Sequence, residues 1–273
     1  MSHSPQFVSQ HLRPLFRWVG GKQKLLSQIL PHVPQKFGTY FEPFFGGGAL
    51  YFNLNPKRAV IGDKNPDLVN FLSVVKDSPH ALIKSLTRNV NSSEAYYAVR
   101  AATPANPIPR AARFQYLINL GFNGVYRVNR KGEFNVPYSK EENRRFFDGE
   151  KIWAAHRMLQ NTQIYNGDFE DTVASAVEGD FVYFDPPYTV AHDNNGFLEY
   201  NENIFQWQEQ EKLAQLVKKL VSRGVRVIVS NANHASVRAL YDSTKIHYVR
   251  RQSTVSAESA FRGVVQEILV VHT

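Results

Sequence analysis

The sequence has no cysteine among its 273 residues, which excludes disulfides, thiolate metal sites and catalysis by a thiolate nucleophile. It also lacks any apolar run that approaches the length of about 20 residues needed for a membrane-spanning helix. The N-terminal segment MSHSPQFVSQHLRP has no apolar core of the kind found in secretory signal peptides. Together with a mean hydropathy of -0.36, these absences predict a soluble, cytoplasmic protein with no membrane partner.

Acidic residues are few relative to basic ones. The chain has 24 Asp and Glu against 32 Lys and Arg, which gives a net charge of +8 and an isoelectric point of about 9.5. Such an excess attracts polyanions over a long range, although a solvated basic surface is the alternative interpretation. Hydrophobic residues make up 43% of the chain, which is typical of a globular domain, here one domain with or without an insertion.

The N-terminal third alternates between predicted helices and strands. KQKLLSQIL (22–30) predicts a short amphipathic helix that ends at Pro31, and TYFEPF (39–44) predicts a strand that runs into three glycines. ALYFNL (49–54) then predicts a helix, and RAVIGD (58–63) predicts an apolar strand that ends in an acid. This order is the βαβ pattern of a parallel sheet.

The last third returns to the same alternation. DFVYFD (180–185) and VRVIVS (225–230) predict buried strands, and Trp207–Ser222 predicts a helix because its leucines and valines recur at helical spacing. KIHYVRR (245–251) and VVQEILVVH (264–272) predict a final antiparallel hairpin. The expected fold is therefore α/β, with a Rossmann-like sheet whose strands are covered on both faces and whose last two strands form a hairpin.

The middle of the chain has a different character. We predict that residues 72–160 form a mainly helical inserted domain, and that residues 1–71 and 161–273 together form the other domain. The segment GFNGVYRVNRKGEFNVPY (121–138) within the insertion predicts a β-hairpin that turns at residues 130–132.

The strongest motif is Asp185–Pro186–Pro187–Tyr188, which follows the predicted strand DFVYFD. Ligands bind at the carboxyl ends of strands in open α/β sheets, so the motif stands where a site is expected. The Asp185 carboxylate and the Pro186 carbonyl, which the prolines keep out of a helical ladder, form an acceptor pair suited to an NH2 group. Tyr188 offers a flat face for a planar base. The alternative interpretation is a rigid turn whose acid only caps a core strand.

A second motif, FEPFFGGGAL (41–50), places Glu42 and a run of glycines before a helix. Glycines let a ligand approach the backbone, and a helix start favours polar or anionic groups. No Lys–Ser or Lys–Thr pair follows, which disfavours a nucleotide phosphate loop. Asp63 ends the next strand, where an acid commonly binds ribose hydroxyls, although it can instead cap the helix after Pro66.

A third segment, RWVGGK (17–22), places two glycines between a tryptophan and a lysine. This segment, FEPFFGGGAL, GDKNPDL (62–68), the hairpin sequence and DFVYFDPPY together resemble the Dam-like DNA adenine-N6 methyltransferases. The resemblance extends from about residue 15 to the C-terminus. The glycine motif comes first, the insertion next and DPPY last, which is the class alpha order. DPPY alone also fits RNA base methyltransferases, whereas the combination is far more specific.

The resemblance implies a methyltransferase sheet that binds S-adenosylmethionine, with the insertion as a target-recognition domain. The positions that match cofactor contacts of the family are Trp18, Lys22, Glu42, Pro43, Phe44, Gly46, Gly48, Asp63, Asp168, Phe169 and Asp185. The positions that match the catalytic pocket for a flipped adenine are Asp185, Pro186, Pro187 and Tyr188.

The resemblance also implies double-stranded DNA as the partner and GATC as the target. The positions that match DNA contacts are Arg17, Phe122, Asn123, Val125, Arg127, Asn129 and Pro137. Arg127 can give a bidentate fork to guanine, with a phosphate contact as the alternative. The sequence departs from many relatives at Phe122, where an aromatic phenol is frequent, and at Arg17, which stands in place of lysine.

The implied mechanism needs little covalent help. The target adenine must leave the stack because its N6 cannot reach a cofactor inside the duplex, and Asp185 and the Pro186 carbonyl then hold its amino hydrogens. Methylation of cytosine at carbon 5 is excluded, since it requires a thiolate nucleophile that the chain lacks. No metal is required, and the segment 189–205 is predicted to close over the pocket.

Two other functions remain open at this point. One is an RNA adenine or guanine N-methyltransferase on the same fold, and the other is a non-catalytic DNA-binding derivative. The intact DPPY and glycine motifs argue against the second. We expect a monomer in solution.

Overall fold

The computed structural model describes residues 12–189, 205–252 and 264–273, and seven strands in these ranges form one mixed sheet. The strands are β1 Tyr40–Glu42, β2 Ala59–Asp63, β3 Thr162–Asn166, β4 Phe181–Phe184, β5 Arg226–Ala232, β6 Ile246–Gln252 and β7 Val264–His272. Their order across the sheet is β3-β2-β1-β4-β5-β7-β6.

Strands β1 to β5 are parallel, so their carboxyl ends lie along one edge of the sheet, called the carboxyl edge below. Strand β7 runs antiparallel to both β5 and β6. Because β7 is reversed, its residue Glu267 pairs with Ala232 at the carboxyl end of β5. The predicted Rossmann-like sheet and its terminal antiparallel hairpin are confirmed.

Helices cover both faces of the sheet. The α-helices of the described residues are α1 Leu26–Ile29, α2 Ala49–Leu54, α3 Pro66–Asp77, α4 Pro79–Leu86, α5 Ser93–Ala101, α6 Pro107–Leu120, α7 Gly149–Leu159, α8 Phe169–Val173, α9 Trp207–Ser222 and α10 Ala235–Arg238. Along β4, Phe181 and Tyr183 join one core cluster while Val182 and Phe184 join the other. Both faces are thus buried, which explains why the strands are apolar without alternation.

Helices α3 to α7 lie between β2 and β3 in the chain. The side chain of Asn65 accepts the backbone N–H groups of Asp67 and Leu68, and Pro66 takes the first helical position, so α3 begins where helix-capping rules expect. Helices α3, α4 and α5 all pack on α6. The division at residues 72–160 stays a prediction, and α3 spans its first boundary.

The segment 121–138 folds back on itself, but it is less regular than the predicted hairpin. Its bridges, Gly121–Tyr138 and Val128–Phe134, are isolated and do not extend into strands. A single 3-10 turn at Phe122–Gly124 interrupts the pairing, because it takes residues out of the extended conformation. The predicted turn at residues 130–132 is confirmed, since the N–H of Gly132 donates to the Asn129 carbonyl at 2.9 Å.

One helix differs from the sequence-based expectation, and one predicted segment lies mostly outside the described residues. Residues 22–30 do not form one helix, because a 3-10 turn Lys22–Lys24 precedes α1. Pro31 lies within a further 3-10 turn, Leu30–His32, near whose start its missing N–H leaves no hydrogen bond unmade. The segment predicted to close over the pocket lies almost wholly outside the described residues. No helix in the described ranges is long and apolar enough to cross a membrane.

Candidate active site

An ion pair joins two of the predicted site residues at the carboxyl edge. Asp185 directly follows β4, and the Lys22 ammonium lies 2.7 Å from its Oδ1. The same ammonium donates to the Gly20 carbonyl at 2.9 Å, so the bend at the two glycines helps to hold it. The Lys22 side chain is 4% exposed and that of Asp185 is 18% exposed. The pair is therefore largely shielded from water, with the carboxylate as its more accessible end.

Glu267 on β7 is the third charged residue here. Its Oε2 lies 3.7 Å from the Lys22 ammonium and accepts a hydrogen bond from the Tyr188 hydroxyl. The Lys22 ammonium also lies 5.1 Å from the centroid of the Tyr188 ring. Lys22, Asp185, Tyr188 and Glu267 are called the DPPY cluster below. Sequence reasoning missed Glu267, although a lone acid in the apolar run VVQEILVV was a usable signal.

Electrostatics favours the charged form of Lys22 and the protonated form of Tyr188 in the DPPY cluster. Burial alone would lower the pKa of Lys22, but the carboxylates of Asp185 and Glu267 hold it above its ordinary value. Burial and the Glu267 carboxylate raise the pKa of Tyr188, so its hydroxyl stays protonated and donates. One ammonium therefore faces two carboxylates.

The glycine loop between β1 and α2 packs against Trp18. Gly46 and Gly48 have φ angles of +48° and +64°, which other residues adopt only with strain. A Cβ on Gly46 would lie 2.8 Å from the Trp18 indole, so the contact itself requires glycine. The Gly46 N–H donates to Asp63 Oδ2 at 2.9 Å. Trp18, the glycine loop and Asp63 thus form one continuous wall.

Carboxyl groups gather beside this wall. Glu42 ends β1, is buried, and accepts a hydrogen bond from the Tyr40 hydroxyl at 2.9 Å. Burial raises the pKa of Glu42 well above its ordinary value, and the charges of Asp185 and Asp63 raise it further. Burial also raises the pKa of Asp63, and this effect outweighs the opposite effect of the backbone N–H groups that donate hydrogen bonds to its carboxylate. The carboxyl edge is therefore a locally acidic environment.

Predicted cofactor residues that follow β1 and β3 also contact one another. The rings of Phe44 and Phe169 stack with their centroids 5.4 Å apart, and Pro43 beside Phe44 is buried. Asp168 caps α8 by accepting a backbone N–H, and its carboxylate lies 3.2 Å from the Lys64 ammonium. Burial opposes ionisation, but the N–H bond and Lys64 outweigh it and lower the pKa of Asp168.

A second buried network holds the segment that follows Tyr188. Gln210 on α9 and Asn231 on β5 are fully buried, and Asn231 Nδ2 donates to Gln210 Oε1 at 2.9 Å. Gln210 Nε2 donates to Thr189 Oγ1 at 3.1 Å, and Thr189 donates to the Phe205 carbonyl at 2.9 Å. Sequence reasoning also missed this network, because nothing local distinguishes Gln210 from the other polar residues of its helix.

The hairpin lies directly against the RWVGGK segment. A Cβ on Gly124 would meet the Arg17 Cβ at 2.7 Å, so the two segments pack closely only because residue 124 is glycine. Phe122 is 53% exposed, and Asn123 beside it is exposed with a φ of +56°. These three predicted DNA contacts, Arg17, Phe122 and Asn123, are therefore accessible and adjacent.

The other predicted DNA contacts lie further along the hairpin. Arg127 is exposed, and its Nε donates to Asn135 Oδ1 at 2.8 Å. The Asn129 side chain shapes the turn, accepting the Lys131 N–H at 2.9 Å. Val125 is half-buried against the core, and the Pro137 carbonyl accepts the Phe122 N–H at 2.9 Å.

A cleft of about 1550 Å³ opens beside the hairpin and the RWVGGK segment. The lining also includes Trp153 and the acids Asp148 and Glu150, and its basic side chains are Arg13, Arg17, Lys24, Arg145 and Lys151. Burial and repulsion from Arg17 lower the pKa of the neighbouring Arg144, which indicates that positive charge is concentrated here. Such a cleft suits a polyanion.

The strand order, with the reversed β7 and the DPPY motif after β4, defines the fold as a Rossmann-like methyltransferase fold. Residues 18–255 match the family model described as D12 class N6 adenine-specific DNA methyltransferase. The chain belongs to this family, and the resemblance inferred from the motifs is confirmed.

Several relatives match almost end to end. The chain is 40% identical over 272 residues to the Type II methyltransferase M1.LlaDCHI of Lactococcus lactis subsp. cremoris, which covers 96% of each protein. It is 32% identical over 266 residues to the DNA adenine methylase of Escherichia coli (strain K12), which covers 95% of each. It is 32% identical over 286 residues to the Type II methyltransferase M.MjaIII of Methanocaldococcus jannaschii, which covers 96% of this chain and 99% of the relative.

Proposed function

We propose that the protein transfers a methyl group from S-adenosylmethionine to the N6 amino group of an adenine flipped out of duplex DNA. The observation that carries this proposal is the Asp185 carboxylate at the carboxyl edge, fixed by Lys22 and next to the acidic wall of the glycine loop. Membership of an adenine-specific family supports adenine as the base.

The residues at the carboxyl edge fit S-adenosylmethionine. When bound, this group supplies an electrophilic methyl on a positively charged sulfur, a charge that the Asp185 carboxylate complements beside the polar carboxyl groups of Glu42 and Asp63. The glycine loop lets a ligand approach the backbone. The Tyr183 hydroxyl is buried near Asp185 and Lys22 and has no hydrogen-bond partner in the described part of the chain, so it is a polar group left for a ligand.

The protein's own residues then act mainly by positioning. Asp185 accepts a hydrogen bond from the amino group and, with the Pro186 carbonyl, directs the nitrogen toward the methyl group. Lys22 fixes Asp185 before the reaction, so little reorganisation is needed during transfer. Tyr188 supports the base by stacking, which is worth roughly 1–3 kcal/mol per base. The base reaches this pocket only after leaving the helical stack.

Transfer of labelled methyl groups tests the proposed function directly. The protein is incubated with methyl-labelled S-adenosylmethionine and either duplex plasmid DNA or RNA, and the nucleosides are then analysed. We expect label in N6-methyladenine from the duplex. Label in RNA alone would favour the RNA methyltransferase, and cofactor-independent DNA binding without transfer would favour the non-catalytic derivative.

Removal of the Asp63 carboxylate should weaken cofactor binding. In Asp63→Ala the Gly46 N–H loses its acceptor, so the glycine loop is no longer held against Trp18. We expect the dissociation constant for S-adenosylmethionine, measured by calorimetry, to rise at least about tenfold, which corresponds to roughly 1.4 kcal/mol. Asp77→Ala, an exposed acid on α3, is the control. Unchanged affinity in a folded Asp63 variant would remove this residue from the cofactor site.

The hairpin and the cleft support double-stranded DNA as the partner, and we propose adenine within GATC as the target. Phe122 is exposed and apolar, and it can fill the space that a flipped base leaves. Asn123 can satisfy the orphaned thymine through its amide, and Arg127 can read guanine by a bidentate fork. A cytoplasmic location, a monomeric state and independence of metal stay predictions.

Arg127→Ala should relax discrimination at one guanine of the target. A base-reading arginine contributes about 1–3 kcal/mol of preference at a single position, measured as kcat/KM on GATC and on singly substituted duplexes. If Arg127 only binds phosphate, its loss would instead weaken binding to all sequences equally and lower the slope of log affinity against log salt concentration by about one.

The variant Arg127→Lys distinguishes the loss of a specific contact from a general disturbance of the hairpin structure. Lysine keeps the charge for a phosphate but loses the planar fork. If Arg127 reads guanine, both variants lose discrimination, whereas Lys219→Ala on the exposed side of α9 retains it. A wild-type preference for a different tetranucleotide would end the GATC assignment.

A further inference from the structure

Glu267 is a fully buried carboxylate in the middle of an apolar strand. Its neighbours on β7, Ile268, Leu269 and Val270, are all completely buried core residues. Burying a carboxylate is costly unless charged or hydrogen-bonding partners compensate for the lost water. The acid is therefore held by specific polar partners rather than by the apolar strand around it, and those partners indicate its role.

Two partners of Glu267 belong to the candidate active site. Its Oε2 accepts the Tyr188 hydroxyl proton in a hydrogen bond and lies 3.7 Å from the Lys22 ammonium. Lys22 in turn contacts Asp185 at 2.7 Å. The antiparallel direction of β7 makes this possible, because it places Glu267 beside the carboxyl end of β5 rather than at the opposite edge.

We propose that Glu267 is a positioning residue for methyl transfer, a role that rests on the proposed function. It fixes the Tyr188 ring through its hydroxyl, so the face on which the base stacks has one orientation. It also shares the Lys22 ammonium with Asp185. Without Glu267 the ammonium would interact more strongly with Asp185 and weaken that carboxylate as an acceptor for the amino group.

Glu267→Met tests this role, because methionine has a similar length and no charge. Removing one partner of a buried ionic cluster lowers stability, but a purely structural acid would leave kcat unchanged in the fraction of the variant that is folded. We expect kcat to fall about tenfold while KM for DNA changes less than about twofold, since phosphate contacts lie elsewhere. The thermal midpoint should fall, because Lys22 and the Tyr188 hydroxyl each lose a buried partner, so kcat is measured at a temperature where the variant is fully folded.

Tyr188→Phe tests the same hydrogen bond from its other partner without altering the ring. We expect a smaller fall in kcat, about threefold to fivefold, and the double variant should lose no more than Glu267→Met alone, because both changes break one interaction. Asp180→Asn is the control: this buried carboxylate lies at the opposite end of β4, where it accepts the Thr39 N–H at 2.7 Å. It should lower thermal stability and leave kcat unchanged.

The outcomes separate the two proposals. If the wild-type protein transfers label to duplex DNA but Glu267→Met and Tyr188→Phe both keep its kcat, the positioning role is wrong and the proposed function stands. The same conclusion follows if the two losses simply multiply in the double variant. If the wild-type protein itself transfers no methyl group, both proposals fall.

Discussion

Replacing Asp185 by Ala lowers the rate of methyl transfer by at least about 100-fold, the usual scale for one preorganised polar group at a reacting centre. The carboxylate is the acceptor we assign to the adenine amino group, and it is the accessible end of a shielded ion pair. Single-turnover methylation of a GATC duplex measures the effect. Duplex affinity should change little, because phosphate contacts dominate binding.

A less severe variant separates charge from shape at this position. Asp185→Asn keeps the volume and one acceptor oxygen but no longer neutralises Lys22, so we expect an intermediate loss of rate. Glu178→Ala, an exposed acid in the turn before β4, should behave as wild type. An Asp185→Ala protein that still methylates near the wild-type rate would refute the chemistry proposed for the motif.

Replacing Lys22 by Met is expected to reduce both stability and activity. The ammonium faces Asp185 and Glu267 in a nearly dry environment, and its removal leaves their charges without this partner. Breaking a buried pair in this way typically costs about 3–5 kcal/mol, which chemical denaturation measures. Methyl transfer should fall at least about 100-fold, since Asp185 loses the group that fixes it.

The pH dependence of this contribution follows from the sign of the pKa shift. Lys22 has a raised pKa in the folded protein, so its contribution is fully present below the ordinary lysine value and is lost as the pH rises through the folded value. The difference in stability between wild type and Lys22→Met should thus be constant from pH 6 to about pH 9. Lys218→Met on the exposed face of α9 should show no difference, and a wild-type-like Lys22→Met would contradict the pairing.

Much of the site was predictable because the motifs stand at the ends of strands. Glu42, Asp63 and Asp185 each end or follow an apolar run, and parallel strands bring such ends to one edge. The helix Trp207–Ser222 was predicted to the residue, since its apolar spacing is regular. The position of the hairpin was predictable but its irregularity was not, because Asn123 and Gly124 adopt left-handed conformations where Gly124 packs against Arg17.

The residues that sequence reasoning missed share one property: their partners are distant in the chain. Gln210 and Asn231 form a buried pair across 21 residues, and Tyr188 meets Glu267 across 79. No periodicity or spacing encodes such contacts. They arise only when strands and helices from separate segments close on one another and leave buried polar atoms to be satisfied.

The sequence by itself determined the class of fold, the order of the motifs and most of the candidate site residues, because glycines, prolines and apolar periodicity act locally. The tertiary structure decided how these residues are held. It brought Lys22 into an ion pair with Asp185, packed Trp18 against the glycine loop, and placed Glu267 where it accepts a hydrogen bond from the Tyr188 hydroxyl. The physical reason is that a buried charge is stable only where the surrounding chain provides its partner, and the order of strands in the sheet, rather than proximity in sequence, decides which residue that partner is.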